Sequence, residues 1–141
     1  MAVDVIWFDD QCTVAHFIMR GAWTWTEYEA ARAQIRQMQE PCDNLVDHIY
    51  DMRQTTQLPP KALPNFSEAA RSRHANSSGL VVFVGGGMLV RQLGSVFRRL
   101  APPSAIELHF VETLEQAEAR LLERRPAHRA RLRGDAASGS S

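Results

Sequence analysis

The run Leu80-Val81-Val82-Phe83-Val84 is apolar without a break, and it is framed by Asn76-Ser77-Ser78-Gly79 on one side and Gly85-Gly86-Gly87 on the other. A strand with one wet face alternates apolar with polar residues; an unbroken run of β-branched and aromatic side chains needs cover on both faces, as a central parallel strand does. Directly after the glycines, Leu89, Leu93, Val96, Phe97 and Leu100 recur at helical spacing until Pro102-Pro103 stops the run. That succession predicts a strand–helix unit of an α/β sheet.

The other elements follow the same logic. Val3 to Phe8 and Thr13 to Arg20 flank the turn residues Asp9-Asp10-Gln11 and predict an opening hairpin. Thr24 and Glu27 have capping-box spacing, with Trp23 and Tyr28 placed as a hydrophobic staple, so a first helix starts there. Tyr28, Ala31, Ile35 and Met38 make its inward face; Glu29, Arg32, Arg36 and Gln39 fall opposite, and Pro41 ends it. Leu45 to Met52 predicts a buried strand, followed by a polar loop. Pro59-Pro60 pre-set the first turn of a second helix that carries Leu63, Phe66 and Ala70 inward and reaches about His74. Ile106, Leu108 and Phe110 alternate with Glu107 and His109 as an edge strand. Thr113 and Gln116 cap a last helix with Leu114, Ala117 and Leu121 inward, and Pro126 ends it.

The expected order is β-β-α-β-α-β-α-β-α, an α/β fold with a mostly parallel sheet and right-handed crossover helices. Residues 1–126 form one domain, and the Arg/Ala/Gly/Ser-rich residues 127–141 read as a disordered tail. Crossovers of one hand place their helices on one side of the sheet. The Leu80 to Val84 strand nevertheless needs cover on the other, from the N-terminal helix, a partner subunit, as in a homodimer, or a bound apolar ligand.

Several function classes are disfavoured by composition. The 16 Lys and Arg residues balance the 16 Asp and Glu residues, which argues against a nucleic-acid footprint. Arg120, Arg124, Arg125, Arg129, Arg131 and Arg133 do crowd the C-terminal segment against Glu123 and Asp135, and they read as a solvated basic helix end and tail. Cys12 and Cys42 have neither CxxC nor Cys/His ligand spacing, so neither metal nor disulfide is expected. The first residues, Met-Ala-Val-Asp-Val-Ile-Trp-Phe-Asp-Asp, have no basic start and no long apolar run; the expectation is a cytoplasmic protein with no membrane span.

This order resembles the STAS or SpoIIAA-like fold of anti-sigma factor antagonists and their relatives. Within that group the chain is similar to bacterial SpoIIAA-like proteins in its Gly-x-Trp-Thr-Trp stretch at Gly21 to Trp25 and its Val-Asp-x-Ile-x-Asp strand ahead of a Pro-containing loop, Val46 to Pro60. It also matches them at the Val-x-Val-Gly strand end, Val82 to Gly85, and the Thr-Leu-Glu-x-Ala helix start, Thr113 to Ala117. The resemblance spans roughly Val3 to Arg125 and implies a non-catalytic regulatory module that binds a protein partner, in some members switched by phosphorylation of a Ser or Thr. That acceptor position, aligned on Asp51, falls near Pro59-Pro60, where no hydroxyl stands; Thr55 and Thr56 lie shortly before it. A constitutive binder, or a module for a small apolar or lipid-like ligand, fits this sequence better than a phosphorylation switch.

Candidate site residues follow from position. Asp51, Arg53, Thr55 and Thr56 stand at the C-terminal end of a parallel strand, where open α/β sheets tend to bind ligands. Trp25, on the first turn of its helix, is the aromatic best placed to meet a partner. Gly85-Gly86-Gly87 occupy the strand-to-helix turn where backbone N–H groups cradle phosphate, but they match neither nucleotide-binding glycine motif and read first as a plain connection. The histidines form no ligand pair and no nucleophile partner is evident, so no catalytic residue and no cofactor are expected.

Overall fold

The computed structural model describes residues 2–72, 75–99 and 106–139, without the side chains of Leu89 and of residues 135–139. Among these residues five strands form one sheet, in the order β1 (Val3–Trp7), β2 (Val14–Gly21), β3 (Val46–Thr55), β4 (Ser77–Val84) and β5 (Glu107–Val111). β1 and β2 are antiparallel and every later pair is parallel, so the sheet is mostly parallel. Four helices accompany it: α1 (Trp25–Gln39), α2 (Ala62–Arg71), α3 (Gly87–Arg99) and α4 (Leu114–Gly139). Expectations for His74, for Leu100 and for the Pro102-Pro103 stop lie outside the described residues, as does that for the Leu89 side chain.

The α1 start forms as its spacing predicts. Thr24 Oγ1 accepts the Glu27 N–H at 3.2 Å while Glu27 Oε1 accepts the Thr24 N–H at 3.0 Å, so two of the orphan donors at the helix start are satisfied reciprocally. Other boundaries move. β3 runs on to Thr55 because the end of β2 still offers a partner, with Arg20 beside Gln54 and Gly21 beside Thr55. Pro59-Pro60 precede α2 rather than opening it. Lys61 takes a left-handed φ of 60° between them and the helix, and the helix begins at Ala62. In α3, Phe97 is buried as expected, but Val96 is exposed and Val90 takes an inward place.

The largest departure is α4. Pro126 does not end it; the helix continues to Gly139, and the segment expected to be a disordered tail is helical that far. A proline withholds the N–H that would bond the carbonyl of residue 122, but Pro126 and Leu122 are both exposed, so the missing bond falls on the outer side of the helix. What holds the continuation is charge. Arg125 Nε sits 2.7 Å from Asp47 Oδ2, and Arg129 Nη1 sits 2.9 Å from Asp47 Oδ1 as an ion pair off-line for a hydrogen bond. His128 is fully buried, with Nε2 donating to Ser78 O at 2.6 Å.

The two faces of the sheet are therefore covered differently. α1, α2 and α3 bury Tyr28, Ala31, Ile35, Phe66, Ala69 and Val90 against Phe17, Met19, Met52, Val81 and Phe83. On the opposite face, α4 seats Ala117 and Leu121 on Val14, Ile49, Leu80, Val82, Val84 and Val111. The cover that the two-sided apolar strand demands comes from the last helix, α4, and not from the N-terminal helix, because the inward residues of α1 are spent beside α2 and α3 on the other face.

Candidate functional site

Two places can be asked to do chemistry. The first is the C-terminal edge of the sheet, where Asp51, Arg53 and the glycines were expected to act, and the structure brings these together. Asp51 is buried, with Oδ1 accepting from Arg53 Nε at 2.9 Å and Oδ2 from Arg53 Nη2 at 2.8 Å; His16 Nε2 lies 3.2 Å from Oδ2. Burial alone would raise the Asp51 carboxyl, but the bonds from Arg53 and His16 outweigh it and hold it below the usual carboxylate range. Burial likewise pushes His16 down, against the pull of Asp51. Both carboxylate oxygens are engaged, so Asp51 serves to fix Arg53, whose side chain is 43% exposed.

The glycines at this edge have a packing cause. A Cβ on Gly85 would lie 2.8 Å from Arg53 Cγ and 3.0 Å from Arg53 Cα, so the strand-end turn can cross β3 only without a side chain. One on Gly86 would meet Val90 Cγ2 at 2.4 Å. The Gly85 N–H is already used, donating to Val111 O at 2.9 Å.

The remaining candidates are only partly free. Thr55 Oγ1 donates to Met19 O at 2.9 Å and accepts from Trp23 Nε1 at 3.2 Å, so its hydroxyl ties β3 to β2 and to the start of α1. Thr56 is exposed. Trp25 stands in an aromatic cluster, edge-on to Trp23 and Phe66 with centroids 5.1 Å away in each case, and its Nε1 donates to Pro60 O at 2.6 Å. That contact anchors the Pro59-Pro60 loop.

The second place was not anticipated. Between the sheet and α1, α2 and α3 lies a cavity of about 90 Å³. Its floor is two rows of the sheet: Phe17, Tyr50, Phe83 and Phe110 in one, His48, Val81 and Leu108 in the other. Phe83 stacks on Phe110 at 5.3 Å, and Tyr28 reaches across to share a 2.9 Å hydrogen bond between its hydroxyl and that of Tyr50. Burial raises the Tyr28 and Tyr50 hydroxyls above their usual range, so both stay neutral. Gly94 of α3 lets that helix rest on the floor; a Cβ there would fall 2.0 Å from Phe110 Cζ.

The wall from α1 is Ile35, Arg32, Arg36 and Gln39. Arg32 meets Glu29 at 3.0 Å and Ser72 Oγ at 3.1 Å, and Arg36 donates to Ser72 O, so both guanidinium groups tie α1 to the end of α2. Gln39 departs from expectation. Instead of facing water it is 1% exposed, and its Nε2 is buried with no hydrogen-bond partner among the described residues. Its position was readable, since Gln39 follows the inward Ile35 by four residues and thus shares its face. The cavity itself has no sequence signal, because it is what aromatic side chains on separate strands leave unfilled.

No protein-family model, curated protein or solved structure matches the chain. No group of ligating side chains among the described residues could hold a metal ion, and no described helix is long and apolar enough to cross a membrane.

Proposed function

We propose that the chain is a non-catalytic binding module for a small, mostly apolar ligand, taken up between the sheet and α1, α2 and α3. The cavity carries this reading. Its walls are aromatic and aliphatic, with a few polar groups at fixed positions, which is the usual make-up of a small-molecule site. For scale, an engineered apolar cavity of about 150 Å³ takes up benzene, so the volume here suits a short chain of a few carbons. Filling it would recover contacts that the lining aromatic rings otherwise lack. A titration of the isotopically labelled protein with propane, followed by nuclear magnetic resonance, tests the reading. Saturable shifts confined to Ile35, Val81, Phe83 and Leu108 are expected, and shifts that are absent or scattered over the surface contradict it.

A second reading rests on the Asp51–Arg53 edge. A half-exposed guanidinium held rigid by a buried carboxylate, beside the Gly85-Gly86-Gly87 turn, is a fixed cationic feature suited to a protein partner. This is the reading that the resemblance to STAS anti-sigma factor antagonists implies; right-handed crossovers, the rule for β-α-β links of this length, and a cytoplasmic setting are proposed with it. The Thr55 hydroxyl is engaged inside the fold, which leaves the exposed Thr56 as the hydroxyl that a phosphorylation switch would have to use. Arg53→Glu should abolish capture of a partner that the wild-type protein retains from its native host; an unchanged set of captured proteins removes the reading.

A further inference from the structure

We infer that Cys12 and Cys42 are a disulfide-forming pair, closed by thiol–disulfide exchange when the protein meets an oxidising low-molecular-weight disulfide and opened again by excess thiol. Their spacing along the chain carries no hint of this. The turn after β1 and the connection between α1 and β3 meet only because β2 and β3 lie side by side. There the Asp47 N–H donates to Thr13 O at 2.9 Å, and Asn44 Nδ2 donates to Cys12 O at 3.0 Å. The two thiols come within hydrogen-bonding reach of each other, and both residues are partly exposed. Among the described residues no third ligating side chain joins them to hold a metal ion, so sulfur–sulfur chemistry is what the pair can do.

In the exchange one cysteine, as thiolate, attacks a sulfur of the external disulfide and expels a thiolate, leaving a mixed disulfide. The second cysteine attacks the protein sulfur of that bond and expels the other half. The protein is oxidised by two electrons and the external disulfide is reduced by two; its two thiolates take up the two protons that the cysteines release. Both cysteines are held in place before the bond forms. Cys12 sits in a left-handed turn, φ 57°, with its N–H on Asp9 O at 3.4 Å and its carbonyl on Asn44. The Cys42 N–H donates to Gln39 O at 2.9 Å, and its carbonyl accepts from Asn76 Nδ2 at 2.7 Å. Oxidation gives up only the weak bond from Cys42 Sγ to Met38 O at 3.6 Å, and it closes residues 12–42 into a covalent loop that restricts the unfolded chain.

The test incubates the full chain in a glutathione buffer at the poise of an oxidising compartment, then alkylates it and reads it by mass spectrometry without reduction. Monomer lacking both free thiols, with the Cys12 and Cys42 peptides joined, is expected. Its thermal midpoint should rise by about 10 °C over that of the reduced protein, and amide exchange should slow at residues 9–13 and 40–46. Cys12→Ser and Cys42→Ser, at partly exposed positions, should melt like the reduced wild type and give only a mixed disulfide with glutathione, with no such rise. Four results overturn the inference: two thiols that stay open to alkylation, mixed disulfides at both cysteines, disulfides that join two chains, or an internal bond that fails to raise the midpoint.

Discussion

The two faces of the sheet are covered by the same chain in opposite ways. On the α4 face a narrow apolar stripe is bordered by carboxylates drawn out of water and matched by arginines: Asp47 with Arg125 and Arg129, Glu107 with Arg124 and Arg131. On the other face three helices meet the sheet through aromatic rings and leave a void beside an unpaired amide. Ion pairs demand close, directional approach, and a helix held by them has one seat. Rings on separate strands and helices have no such constraint, and where their shapes fail to interlock the face keeps room for something else. The α4 face is closed by ion pairs, and the α1–α3 face keeps a cavity that, on the proposed function, a ligand fills.

The contrast can be broken most forcefully at Asp47. Asp47→Asn keeps the shape but leaves Arg125 and Arg129 without their anion; breaking such a buried pair should destabilise the fold by about 3 kcal/mol, read as a lower urea midpoint with loss of α4 protection in hydrogen exchange. A loss below about 0.5 kcal/mol would mean that charge does not hold the helix.

Acid attacks the same face. Burial would raise the Glu107 carboxyl, but Arg124 and His109 outweigh it and bring it down to about 2, from an ordinary value of 4.5. A carboxyl depressed in the folded state stabilises above its unfolded pKa, and that contribution fades as the pH falls from 4.5 toward about 2. Urea midpoints should therefore drop across that window, and Glu107→Gln should flatten the drop while costing less than Asp47→Asn at neutral pH.

The helical face should respond to volume instead. Gly94→Ala drives a methyl into Phe110, where the Cβ would stand 2.0 Å from Cζ, and should cost about 2 kcal/mol and weaken propane binding together. Salt or pH should scarcely change that cost. Tyr28→Phe, which leaves the Tyr50 hydroxyl without its partner, should cost about 1 kcal/mol by thermal or urea unfolding, the smallest effect of the series.

How much of this was legible in the residues depended on the range of the interaction involved. The Thr24–Glu27 box, the Tyr28, Ala31 and Ile35 face and the two-sided Leu80 to Val84 strand are local patterns, and they appear in the structure as they read. Pro126 misled because the rule that proline stops a helix is local, whereas what carries α4 past it is Asp47, far away in the chain. The crowded arginines read as a solvated end for the same reason: their acids lie on β3 and β5, not beside them. At the sheet edge, Asp51 and Arg53 were identifiable from strand polarity, and the reason for Gly85 and Gly86 appears only once β3 passes beneath them. The cavity was not legible at all, since it depends on which rings fail to touch.

Of all measurements, a crystal of the protein pressurised with xenon bears most directly on whether the α1–α3 face is built to be filled. Xenon binds apolar voids without needing a polar partner. The account predicts a single strong xenon site among Ile35, Val81, Phe83 and Leu108, with none beneath α4; xenon absent from that cavity, or lodged between α4 and Leu80, Val82 and Val84, would contradict it.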